Sequence, residues 1–181
     1  MYNCWNWYFL SNRIRTFCFQ FFNNSIGTKT RIAARYRNAG VMLDNNCTFC
    51  VKSNTAQPAR EDFAHIFYDC AQIRNTCHRV SDILFPMDPD PVSCKLTYFT
   101  GIVRGAGKID GFFYLLTAVL VNYTIWRFRM KKIVPSIASI LEDVDNLFDM
   151  CVWVSHKISE TVSDANSPIC RRWTARHHGR G

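Results

Sequence analysis

Residues 47–70 read "CTFCVKSNTAQPAREDFAHIFYDC", and the spacing Cys-x2-Cys-x14-His-x4-Cys decides what the rest of the chain has to build around. Cys47 and Cys50 offer two sulfurs from one tight turn. His65 and Cys70 stand five residues apart, a little over one helical turn, and can reach one point near the end of a helix. Three sulfurs and an imidazole match a tetrahedral zinc ion with no open position, a structural arrangement rather than a catalytic one. One such ion offsets the entropy of closing the polar loop "VKSNTAQP", a cost that grows slowly with loop length. The competing reading makes Cys47 and Cys50 small apolar core residues and His65 a packed histidine. Cys77 and His78, one to two turns further on, are alternative ligands if the helix ends differently.

The redox setting bears on that choice. Nine cysteines in 181 residues leave one unpaired in any closed disulfide framework, and Met1–Leu10 lacks the basic lead of a secretory signal. A reducing, intracellular compartment, nucleus or cytoplasm, is expected, where clustered cysteines act as metal ligands more often than as bridges. With 48% hydrophobic and 20% charged residues, the chain has the composition of a folded globular protein.

Helical spacing extends outward on both sides. Ile14, Phe17, Cys18, Phe21 and Phe22 predict an amphipathic helix over 12–24, and Thr28 or Thr30 can cap a short helix through Tyr36 that Asn38-Ala39-Gly40 ends. After the cysteine pair, Glu61 and Asp62 suit the first turn of a helix whose apolar stripe runs through Ile66, Ile73, Cys77, Val80, Ile83 and Leu84. "PMDPDP" at 86–91 breaks it and marks an internal boundary, followed by a short extended piece, "KLTYFTGI". Gly101, Gly105, Gly107 and Lys108 do not make a phosphate loop, because Ile109 stands where Ser or Thr is required. "FFYLLTAVLVNYTIWRFRM" (112–130) reads as a buried core helix: Asn122, Thr124, Arg127 and Arg129 interrupt the run of about 20 apolar residues that a membrane span needs. A last long helix after Pro135 keeps Ile137, Ile140, Leu141, Val144, Leu147, Phe148, Val152, Ile158 and Val162 at helical spacing, with acidic residues on the other face, as core or as a partner surface. The expected fold is mainly α, with a small Cys-Cys-His-Cys segment and few or no strands. The expected parts are 1–86, 92–166 and a basic tail at 167–181.

The stretch "FNNSIGTKTRIAARYRNAGVMLDNNCTFC" and the following "EDFAHIFYDC" resemble the zinc-binding region that follows the reverse transcriptase domain in non-LTR (LINE-type) retrotransposon polyproteins. "YTIWRFRMKKIVPSI" is similar, more loosely, to the helix with an "IW" pair and a basic run that often follows in those elements. The resemblance covers residues 14–85 and, more loosely, 110–137. It implies one structural zinc on Cys47, Cys50, His65 and Cys70, engagement of template RNA or target DNA, and a reverse transcriptase domain upstream or in trans. No Tyr/Phe-x-Asp-Asp motif occurs, so the chain is expected to be a terminal fragment, truncated copy or retained remnant of such an element and not itself a polymerase.

The net charge of +8 alternates along the chain: residues 1–38, 94–133 and 167–181 are basic, while 39–93 and 134–166 are acidic. Such blocks can pair with one another inside the fold, or the basic ones can form a footprint for nucleic-acid phosphates. On the second reading the candidate contacts are Arg31, Arg35, Arg37, Arg127, Arg129, Lys131 and Lys132, with Tyr36 or Phe49 available for stacking if not buried. The leading expectation is therefore a structural-zinc module binding RNA or DNA. The alternative is a zinc-stabilised structural or protein-interaction domain with no nucleic-acid role. No nucleophile-base-acid constellation points to an enzyme, and no small-molecule substrate or membrane is expected.

Overall fold

The computed structural model describes residues 9–37, 39–84 and 108–161. The expected breaker at 86–91, the extended piece after it and the basic tail lie outside them. The described chain runs α1 (Asn12–Phe22), α2 (Lys29–Arg37), α3 (Thr48–Lys52), a π-helical turn (His65–Asp69), α4 (Ala71–Leu84), α5 (Lys108–Lys131) and α6 (Ile137–Thr161). No strand occurs among these residues, only an isolated antiparallel bridge between Asn46 and Arg60. The fold is mainly α, as the periodicities predict.

Helix starts follow local chemistry. The Ser11 hydroxyl accepts the Ile14 N–H ahead of α1, and Ile14, Phe17, Cys18 and Phe21 form its buried stripe. Phe22, expected in that stripe, is exposed, since a step of about 100° per residue turns it away from the face that Phe21 occupies. Ser136 and Ser139 cap α6 reciprocally: the Ser139 N–H donates to Ser136 Oγ at 3.1 Å and the Ser136 N–H to Ser139 Oγ at 2.9 Å. Thr28, buried, accepts the Arg31 N–H at 3.2 Å and caps α2. Thr28→Ala is expected to cost about 1 kcal/mol, read as a lower urea midpoint with an unchanged denaturant slope.

Helix ends share one device. Asn24, Gly40, Asn54 and Lys132 have positive φ, and each stands just past a helix where two backbone bonds fold the chain back. After α1 these are Ser25 N–H to the Gln20 carbonyl and Asn24 N–H to that of Phe21; after α5, Ile133 N–H to Phe128 and Lys132 N–H to Arg129. This pairing satisfies carbonyls that a helix end leaves without partners. It reverses the chain in few residues, which keeps α1, α2 and α3 close to one another in sequence.

α5 lies at the centre. Every residue from Leu115 to Asn122 is buried, so this stretch presents no face to solvent, and the helix packs against α1, the π-turn and α6. Asn122 is tolerated there because its Nδ2 donates to the Ala118 carbonyl at 2.8 Å. α6 packs through Ile140, Val144, Phe148 and Cys151, with Glu142, Asp145 and Asp149 outward. A single apolar cluster runs from Phe9 to Cys151, so the sequence break at 86 does not divide the core. No helix among the described residues is long and apolar enough to cross a membrane.

Candidate metal centre

The two halves of the Cys/His set are built by different backbone devices. Cys47 is the N-cap of α3 and Cys50 sits in its first turn, which puts both sulfurs on one side. The loop that follows turns back at Asn54, with the Thr55 N–H on the Cys50 carbonyl at 3.1 Å. It is closed by the Asn46–Arg60 bridge: the Cys47 N–H donates to the Ala59 carbonyl and the Glu61 N–H to the Asn45 carbonyl, both at 2.7 Å. Fourteen residues between Cys50 and His65 therefore span a short distance.

Asp62 Oδ1 accepts the His65 N–H at 2.8 Å and starts the π-turn. In an α-helix, residues five apart stand about 140° apart around the axis, which would point His65 and Cys70 in different directions. Here the Cys70 N–H bonds to the His65 carbonyl at 2.9 Å, the i to i+5 link of a π-turn, and the two side chains come to the same side. Between them Ile66, Phe67 and Tyr68 point into the core, where the Phe67 ring lies 5.2 Å from Phe21, 5.1 Å from Phe63 and 6.3 Å from Trp126. The ligand segment is thus riveted to α1 and α5.

The resulting geometry is a compact cluster of four ligand atoms. Cys47 Sγ and Cys70 Sγ are 3.8 Å apart, Cys50 Sγ and Cys70 Sγ 3.6 Å, and Cys50 Sγ and His65 Nε2 3.4 Å; all four ligand atoms lie within 4.8 Å of one another. Bonds of about 2.3 Å to sulfur and 2.0 Å to nitrogen give a regular tetrahedron S···S edges of about 3.8 Å and S···N edges of about 3.5 Å. Three of the six separations match these values and the others stay within 4.8 Å, so the cluster could hold a metal ion. Cys77 and His78 are not part of it: the buried Cys77 thiol is directed at the Phe67 carbonyl, and the His78 ring packs 5.1 Å from that of Tyr68.

Proton affinities within the cluster agree with a cation site. Hydrogen bonding from Cys70 holds the Cys47 thiol well below its ordinary value, aided by His65, and the same contact pushes Cys70 up. Burial pushes Cys50 up, and the bond to Cys47 raises His65. Three sulfurs and an imidazole crowded together share protons unequally, a conflict that a divalent cation removes by drawing all three thiols to thiolates. The backbone N–H groups of Cys50, Ala59 and Gln72 favour the thiolate forms of Cys47, Cys50 and Cys70 in turn.

Glu61, read from sequence only as a favourable first-turn charge, has a larger role. It is fully buried, and its carboxylate accepts the Lys29 N–H at 3.1 Å, the Thr48 N–H at 3.0 Å and the Thr48 hydroxyl at 2.7 Å. One carboxylate thus serves the N-termini of α2 and α3, where helix dipoles favour negative charge. It also pairs with Arg129, whose guanidinium lies 4.5 Å from the Trp126 ring centroid. Burial alone would raise the Glu61 carboxyl, but Arg129 and Thr48 outweigh it and hold it below its ordinary value.

The other basic candidates separate into held and open. Arg129, expected on a phosphate, is instead enclosed against Glu61 and Trp126 and leaves that set. Arg127 reaches Asp143 on α6 at 3.1 Å, and the Arg31 guanidinium is hydrogen-bonded to the Asn24 carbonyl while remaining exposed. Arg35, Arg37, Lys131 and Lys132 are exposed. Of the aromatics suggested for stacking, Phe49 is buried and Tyr36 exposed. The pairs Lys29–Asp44, Arg127–Asp143 and Arg129–Glu61 each join a basic block to an acidic one, so the alternating charge pattern does pair within the fold. No protein-family model, curated protein or solved structure matches this chain.

Proposed function

We propose that this chain is a structural-zinc, nucleic-acid-binding module. The observation that carries the metal half is the cluster of three sulfurs and one imidazole nitrogen, all within 4.8 Å of one another and with three separations of 3.4–3.8 Å, on residues whose intervening side chains enter the core. Soft thiolates with one imidazole select zinc over hard cations, and four protein ligands leave no position for substrate, so the ion's role is to hold the fold. No catalytic step is assigned.

The nucleic-acid half rests on the exposed cations Arg31, Arg35 and Arg37 on α2 and Lys131 and Lys132 at the end of α5, together with the sequence resemblance to the zinc region that follows non-LTR reverse transcriptases. α2 supports it in a second way: none of its residues is buried, so the helix contributes surface rather than core. A footprint of about five phosphates on a single strand gives a log–log salt slope near −3.5, or about 100-fold weaker binding between 50 and 200 mM salt. Fluorescence anisotropy of zinc-loaded protein with labelled RNA and DNA measures that slope. Absence of any salt-dependent binding would remove the nucleic-acid half.

A protein-interaction role is the second reading, favoured by Val41, Met42 and Leu43, which are exposed side by side after α2, Met42 almost completely at 95%. Met42→Ser would weaken partner binding on that reading and leave oligonucleotide binding unchanged.

A further inference from the structure

α1 and α5 pack side by side, and an open groove of about 640 Å³ lies along their junction. Arg13 and Phe17, four residues apart, line it from α1; Tyr123, Trp126, Arg127 and Lys131 line it from α5 at helical spacing. Its aromatic side is ordered by packing: Phe17 and Tyr123 meet edge to face at 5.3 Å, and Trp126 lies against Phe67 of the π-turn. Among the described residues no carboxylate lines the groove. Asp143 engages Arg127 from α6, so Arg13 and Lys131, both exposed, supply the charge that remains for a ligand.

Cations beside partly exposed aromatic rings, in a volume within the roughly 300–1,000 Å³ range of small-ligand clefts, suit an anion that also carries a flat π-face. We propose that this groove binds single-stranded nucleic acid, taking an unstacked base against Tyr123, since Arg129 and Phe67 already pack on Trp126, and the neighbouring phosphates on Arg13 and Lys131. The inference rests on the nucleic-acid reading above and deepens it, moving the principal contact from α2 to the α1–α5 junction and specifying the strand state. Duplex bases are stacked and cannot enter a cleft between two helices, whereas every unpaired base offers a π-face, so the preference is for single strands with little sequence dependence.

The test uses the full zinc-loaded chain with labelled single-stranded RNA and DNA oligonucleotides of mixed sequence and a blunt duplex of equal length. Single strands are expected to bind at least about 10-fold more tightly than duplex. The charge-reversing pair Arg13→Glu with Lys131→Glu, at exposed positions, should weaken single-strand binding at least about 10-fold and flatten the salt slope by about 1.4, the share of two phosphates. Tyr123→Leu should weaken it at least about 5-fold, the effect of one lost stack, with the slope unchanged. Arg35→Glu with Arg37→Glu should have the smaller effect. Single-strand binding that survives the Arg13/Lys131 reversal but is lost on reversing Arg35 and Arg37 overturns the groove and leaves the broader reading intact. So does equal binding of duplex, or displacement of the oligonucleotide by polyglutamate at equal charge concentration, since either makes stacking irrelevant. No salt-dependent binding to any of the three nucleic acids overturns both.

Discussion

Glu61→Ala is expected to destabilise the folded chain by about 3–5 kcal/mol, the cost of breaking a buried ion pair by removing one partner. The side chain of Arg129 is only 10% exposed, so it would be left as an uncompensated charge inside the fold, and the Lys29 and Thr48 N–H groups would lose their acceptor. Glu61→Gln keeps an acceptor oxygen but not the counter-charge, so it should fall between wild type and Glu61→Ala. Arg129→Met should cost less in the Glu61→Gln background than in wild type, because the stranded charge is then absent; a double-mutant cycle on urea midpoints reads the difference. The pH dependence has a fixed sign. The folded carboxyl lies below its ordinary 4.5, so the unfolded chain takes up that proton first as pH falls. The stabilisation is complete above about 4.5 and is lost as pH drops through the lower folded value. Subtracting the Glu61→Gln profile from that of wild type isolates this contribution, since acid release of metal is common to both. An unchanged difference across that range would show that Glu61 is not ionised in the fold.

Removing the metal is expected to have the larger effect. Apparent binding energies of structural zinc, about 10–16 kcal/mol, equal or exceed the whole stability of a typical domain, about 5–15 kcal/mol. Without the ion, three buried thiols and His65 again compete for protons in one small volume. Phe67 belongs to the ligand segment and packs against Phe17, Phe21, Phe63 and Trp126, so release of His65 and Cys70 opens the core between α1 and α5 rather than one loop. Chelation, or Cys50→Ser, should therefore abolish the cooperative thermal transition and lower the helical far-UV signal. One equivalent of zinc should restore both in the chelated wild type. Cys77→Ser, outside the cluster, should keep its metal and lose only packing.

What the sequence carried and what it did not divide along interaction range. The stripe of α1 apart from Phe22, the apolar face of α6 through Phe148, a threonine cap on α2, filled by Thr28 of the two candidates, the end of α2 by Gly40 and the clustering of Cys47, Cys50, His65 and Cys70 are local patterns, and each is present in the fold. The π-turn was not legible, because five-residue spacing suits it only through a backbone bond that no side chain announces. Nor was the Arg129–Glu61 pair, which joins residues 68 positions apart. Arg129 sits in a basic run that reads as a phosphate-binding surface, and the fold spends it on a buried carboxylate instead. Ile83, the continuation of a good apolar stripe, is more than half exposed, so periodicity gave the face of α4 correctly and its buried length too generously.

The most direct test of the central claim is zinc K-edge X-ray absorption, with metal content, on the chain purified without chelators. One zinc per chain, surrounded by three sulfurs at about 2.3 Å and one nitrogen at about 2.0 Å, is the result that the cluster of Cys47, Cys50, His65 and Cys70 predicts. A helical, cooperatively folded chain containing no metal, or an ion bound by oxygen ligands, would contradict it.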